Sequence, residues 1–125
     1  MPITCQINHL DRLVIGVSEG VVTLQDILTF LDRVVSEGTQ PYRKIFDARQ
    51  GTSGLSADDL KALTHRLRSG PVAKPLGPFA VIAGSQGDEL VQILKPFAEI
   101  KRPMRLFKDM PSARRWIDHQ KPMVE

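Results

Sequence analysis

Four times between Leu13 and Ile117 a short apolar run passes into a segment of helical periodicity. A helical bundle does not produce this alternation, and neither does a set of hairpins. It calls for a mainly parallel sheet with right-handed crossovers and helices packed on it. The clearest run is Phe79-Ala80-Val81-Ile82-Ala83, bounded by Pro78 and Gly84. It is continuous rather than alternating, so it reads as a strand covered on both faces. Before it stand Leu13 to Val17 and Tyr42 to Phe46, the latter ending in Asp47; after it comes Pro103 to Lys108, through Met104, Leu106 and Phe107. A further strand precedes these four. Ile3, Cys5 and Ile7 alternate with Thr4, Gln6 and Asn8, the period of a half-buried strand. Leu10-Asp11-Arg12 is too short for a crossover, so the first two strands form an antiparallel hairpin.

The helices carry their own start and stop signals. Thr23 and Asp26 form a capping box ahead of Leu24, Ile27, Leu28, Leu31, Val34 and Val35, and Gly38 ends that helix. Ser56 and Asp59 repeat the box before Leu60, Leu63 and Leu67. Pro71, Pro75 and Pro78 mark an extended surface connection. Ser85 caps a helix from about Gly87 to Ile100, which Pro96 kinks. Asp109 and Pro111 open a final helix bearing Ala113, Trp116 and Ile117 on one face. The expectation is one α/β domain over residues 1–125, in ββα(βα)3 order. Its mixed, mainly parallel five-stranded sheet carries four helices. A length of 125 residues is typical of a single domain.

This order resembles the STAS superfamily, named for bacterial anti-sigma-factor antagonists, and within it the SpoIIAA-like branch. The likeness is carried by Gly20-Val21-Val22-Thr23-Leu24-Gln25-Asp26, Ile45-Phe46-Asp47-Ala48-Arg49, Ala80-Val81-Ile82-Ala83, and Phe107 with Ala113-Arg114-Arg115-Trp116-Ile117. It implies a non-enzymatic module that binds partner proteins, nucleotides or lipid-like ligands. In the antagonist branch a serine at the start of the second helix is phosphorylated, within a pattern like Asp-Ser-Ser-Gly-Leu-Gly. Here Gly51-Thr52-Ser53-Gly54-Leu55-Ser56 is the nearest match. Gly51 replaces the acidic residue, Thr52 the first serine and Ser56 the last glycine, and Ser53 becomes the candidate phosphorylation site.

Composition narrows the function classes. Cys5 is the single cysteine, which excludes an internal disulfide and a multi-thiolate zinc site. His9, His65 and His119 have no metal-ligand spacing, so neither metal nor cofactor is expected. No apolar run approaches the roughly 20 residues of a membrane span, and the N-terminus lacks a signal pattern. A cytoplasmic protein without stable membrane insertion is expected. The net charge of +3 is too diffuse, and seven aromatics (one Trp, one Tyr, five Phe) too few, for a nucleic-acid stripe.

Candidate sites gather at the strand ends, where open α/β folds bind ligands. Asp47 and Arg49 lie there and can recognise a polar group, although an exposed ion pair is the plainer reading. Ser53 lies in a Gly-flanked loop, Ala48 to Gly54, with Arg49 near enough to meet a phosphate; turn chemistry is the plainer reading. Gly84-Ser85-Gln86-Gly87 is a capped turn rather than a phosphate fingerprint. The helix around Pro96 bears more apolar residues than one sheet contact uses, Leu94 and Phe97 among them. That arc serves as core, as a homodimer surface, or as the wall of an apolar groove. The leading expectation is a non-enzymatic SpoIIAA-like regulatory module binding a partner protein or a small apolar, lipid-like ligand. Two alternatives are an enzyme using Asp47 and Arg49 on a small anionic substrate, and a phospho-switched antagonist using Ser53.

Overall fold

The computed structural model describes residues 3–69, 77–83 and 103–120. β1 (Ile3–Asn8) and β2 (Leu13–Val22) pair antiparallel in the expected hairpin, with Asn8 opposite Leu13. β3 (Arg43–Ser53), β4 (Phe79–Ile82) and β5 (Met104–Phe107) follow in parallel, giving one sheet in the order β1-β2-β3-β4-β5. The described helices are α1 (Leu24–Ser36), α2 (Ala57–Ser69) and α3 (Met110–Asp118). The helix expected from Gly87 to Ile100, its Pro96 kink, the turn at residues 84–87 and most of the proline-rich connection lie outside the described residues.

The capping signals act as read. Thr23 Oγ1 accepts the Asp26 amide, and Asp26 Oδ2 accepts the Thr23 amide at 2.8 Å. Ser56 and Asp59 exchange the same two bonds, at 3.1 and 3.0 Å. The Asp109 carboxylate caps α3 by accepting from the Ser112 amide at 2.8 Å.

β3 and β4 are added in turn at the same edge of the sheet, so right-handed crossovers place α1 and α2 on one face. On that face α1 and α2 bring Leu24, Ile27, Leu31 and Leu63 against Phe46, Phe79, Val81 and Met104. The other face is packed by α3, whose Ala113 and Ile117 join Leu13, Ile45, Ala80 and Ile82. α3 lies over β3, β4 and β5 and reaches the start of β2 through Leu13.

Two expectations fail at the strand ends. β2 and β3 do not stop at Val17 and Asp47, and Ala48 to Gly54 is not a loop. Both strands run on beyond the pairing of β1 and β4, and Glu19–Val22 lies along Gln50–Ser53 as a two-stranded parallel ribbon. Between Val17 and Glu19 β2 advances two residues while β3 advances three, a bulge at Ala48 and Arg49. Gly51 permits the extension, because a Cβ there would stand 2.5 Å from Ser18 Oγ. Polar residues and glycine suggest a loop, but here the glycine marks close strand approach.

At the opposite end of the sheet Lys44 is buried, only 3% exposed. Its ammonium donates to the carbonyls of Thr39, Gln40 and Tyr42 at 2.9, 2.8 and 2.9 Å. The Gly77 amide donates to Gln40 O and the Lys44 amide to Pro78 O, tying the α1–β3 loop to the entry of β4. Arg43 adds a second tie, reaching Ile117 O at 3.2 Å and Asp11 O at 2.7 Å.

Candidate functional site

The carboxyl ends of the strands form a rim, and the bulge shapes its centre. Asp47 is 8% exposed. Its Oδ1 accepts the Arg49 amide at 3.1 Å and Nε at 2.9 Å, while Oδ2 accepts Nη2 at 2.8 Å. The carboxylate thus closes the bulge over its own strand and holds the guanidinium in a two-pronged pair. Across the rim, Asp109 at the start of α3 adds negative charge that Arg49 feels. The side-chain bonds from Arg49 hold the Asp47 carboxyl below the usual carboxylate range, against the opposing effect of burial. Hydrogen bonding from Ser112, first through its backbone amide, lowers Asp109 in the same way.

The sign of the Asp47 shift fixes a pH dependence. A carboxyl lowered on folding contributes stability above its unfolded value, near 4, and loses it as pH falls through the folded value. Asp47→Asn is therefore expected to unfold more readily than the parent at pH 7. Urea titrations should show the gap narrowing as pH falls below about 4 and closing as it passes through the folded value. A gap of constant size across that range would mean the ionised carboxylate does not carry the pairing.

Ser53 belongs to the end of β3, not to a loop. Its Oγ accepts the Leu55 amide at 3.2 Å, shaping the turn into α2. Four residues of extended chain, about 13 Å, separate it from Arg49, whose guanidinium is turned back onto Asp47. The expected proximity of Arg49 to a Ser53 phosphate is therefore corrected: the bulge commits Arg49 elsewhere. Leu94 and Phe97 lie outside the described residues.

Val21 was missed by sequence reasoning. This aliphatic side chain stands 62% exposed on the ribbon, next to exposed Thr52 on the paired strand. The signal was its place between Gly20 and Thr23, a strand–helix junction where core periodicity has run out.

His9 and His119 serve local structure. His9 Nδ1 lies 2.8 Å from the Tyr42 hydroxyl, and His119 Nδ1 lies 2.7 Å from Arg115 O. Cys5 is half-buried, and burial pushes its thiol pKa up, which disfavours the nucleophilic thiolate. Among the described residues no group of three or more His, Cys, Asp or Glu is placed to hold a metal ion. None of the described helices is long and apolar enough to cross a membrane.

These elements, a hairpin followed by parallel strands with a rim at their carboxyl ends, define an α/β protein with a SpoIIAA-like fold. The chain is similar to the crystal structure of an uncharacterized protein from the DUF3478 family with that fold, from Shewanella loihica PV-4. The TM-score is 0.62, over 92% of this chain and 93% of the other, at 16% identity. No family model matches the chain, and no curated protein matches it.

Proposed function

We propose that the chain is a non-enzymatic regulatory module that docks a partner protein on the rim, with Val21 as the apolar anchor. The Asp47–Arg49 pair beside the bulge supplies the polar border. The observation that carries this reading is the 62% exposure of Val21 on a ribbon that runs past the rest of the sheet. An exposed aliphatic residue with unpaired strand edges around it suits protein contact. The SpoIIAA-like fold supports a binding or regulatory role in general. A binding role also agrees with the chemistry of Asp47, since a carboxylate with both oxygens bonded to Arg49 and its pKa lowered is a poor general base.

The test is affinity capture from the native host, using the parent and Val21→Glu, each checked for an unchanged thermal midpoint. A charge at the centre of an apolar contact is expected to weaken retention of a specific partner about tenfold or more. Equal retention of the same protein by both chains would refute the rim as the docking surface.

A further inference from the structure

The two outer strands of the sheet are β1 and β5, and their edges are protected in different ways. β5 follows Pro103 and carries the exposed Arg105, both of which discourage a further strand. β1, from Ile3 to Asn8, contains neither a charged residue nor a proline. The register shows which of its groups face outward. The Arg43 amide donates to Arg12 O, so the amide and carbonyl of Leu13 turn the other way, toward Asn8. Asn8, Gln6 and Thr4 are then the residues bonded to β2, and Ile3, Cys5 and Ile7 point their amides and carbonyls outward. Such a row is a template for another strand.

Arg33 of α1 interrupts that row. Its Nη1 donates to Cys5 O at 3.3 Å, the carbonyl at the middle of the edge. Glu37 lies four residues on, at the spacing that suits an ion pair along a helix. The two do not pair; the Glu37 carboxylate lies 3.7 Å from His9 Nε2 instead. The Arg33 guanidinium makes no other bond among the described residues. An exposed guanidinium laid on an uncharged strand edge, rather than on an acid, is a charge placed against pairing.

We propose that Arg33 guards the β1 edge and keeps it from pairing with a second copy of the chain. A second copy is the occupant that the strand itself selects. Antiparallel pairing about a two-fold axis at Cys5 sets Ile3 opposite Ile7 and Thr4 opposite Gln6, with no charge against a like charge. The outward groups of the two copies then meet in register, and the two sheets join into one. The central pair of that ladder is formed by the two Cys5 residues, and their carbonyls are the ones that Arg33 covers.

Sedimentation equilibrium of the whole chain, together with amide hydrogen exchange, tests this on the parent, Arg33→Ala and Lys61→Ala. Arg33 and Lys61 are both exposed, so each change removes one surface charge without opening the core. The parent and Lys61→Ala are expected to remain monomeric up to about 1 mM. Arg33→Ala should dimerise with a dissociation constant of about 100 μM or less, at least tenfold below any value for the parent. As its concentration rises, the Ile3, Cys5 and Ile7 amides should exchange more slowly. The proposal is overturned if Arg33→Ala stays monomeric, if Lys61→Ala dimerises equally, or if the parent already pairs through β1. Dimers that leave those three amides unprotected would overturn it too, by placing the contact elsewhere. None of these outcomes bears on capture through Val21 at the rim, so the two readings succeed or fail separately.

Discussion

Gly77→Ala is expected to lower the unfolding free energy by about 3 kcal/mol, at the upper end of what overpacking costs. A methyl at this position would stand 2.5 Å from Pro41 O and collide with Tyr42 O. Both atoms belong to the backbone, so no side-chain rotation relieves the contact. The loop would have to move, and in moving it would strain the Gly77 amide bond to Gln40 O, now 2.9 Å. The midpoint of thermal unfolding should fall by roughly 10 °C. Denaturant and thermal unfolding of the two chains measure this directly. A difference below about 1 kcal/mol would mean that the loop yields freely and that the strand entries are not rigidly tied.

Lys44→Met is expected to cost about 2 to 3 kcal/mol, by a different route. Methionine fills similar volume and spares the desolvation of a buried ammonium, so the sign depends on the carbonyls left behind. Thr39 O keeps the Tyr42 amide and Gln40 O keeps the Gly77 amide. Tyr42 O has Lys44 as its sole donor among the described residues, and it would be left without one. Bonds from a charged donor are each worth about 1.5–3 kcal/mol, and the three act on one loop, so the loss falls short of their sum. Lys61→Met, on the exposed side of α2, should change stability by less than about 0.5 kcal/mol and serves as the control. Equal effects at the two positions would show that the buried ammonium holds nothing together.

The hairpin, the mixed five-stranded sheet and the capped helices could be read in the sequence because each rests on local chemistry. Leu10-Asp11-Arg12 is too short to cross over, and Thr23 with Asp26 satisfies amides that any helix start exposes. The ribbon could not be read in this way. Gln50, Gly51 and Thr52 have the composition of a loop; they are a strand because Ser18, more than thirty residues earlier, leaves room for hydrogen alone at Gly51. Periodicity within a segment does not report such a long-range fit. At the rim the Asp47–Arg49 pair was legible, since two residues along one strand are close by construction. Its consequence for Ser53 was not, because the bulge sets where Arg49 turns. Lys44 did leave a trace: a lysine between Arg43 and Ile45, in a strand covered on both faces, must have its ammonium answered somewhere. The acceptors are main-chain carbonyls of a loop, and no residue type announces those.

The strand order has a bearing on how the molecule is made. With β1 to β5 side by side in the order of synthesis, every new strand finds its template already laid down, and the sheet can be assembled vectorially as the chain is elongated. The step that must wait is the bond from Arg43 to Ile117 O, spanning 74 positions, by which the late α3 segment latches onto an early strand. Until that latch closes, Leu13, Ile45, Ala80 and Ile82 face water, and a nascent chain halted before it would present a greasy plane suited to a chaperone.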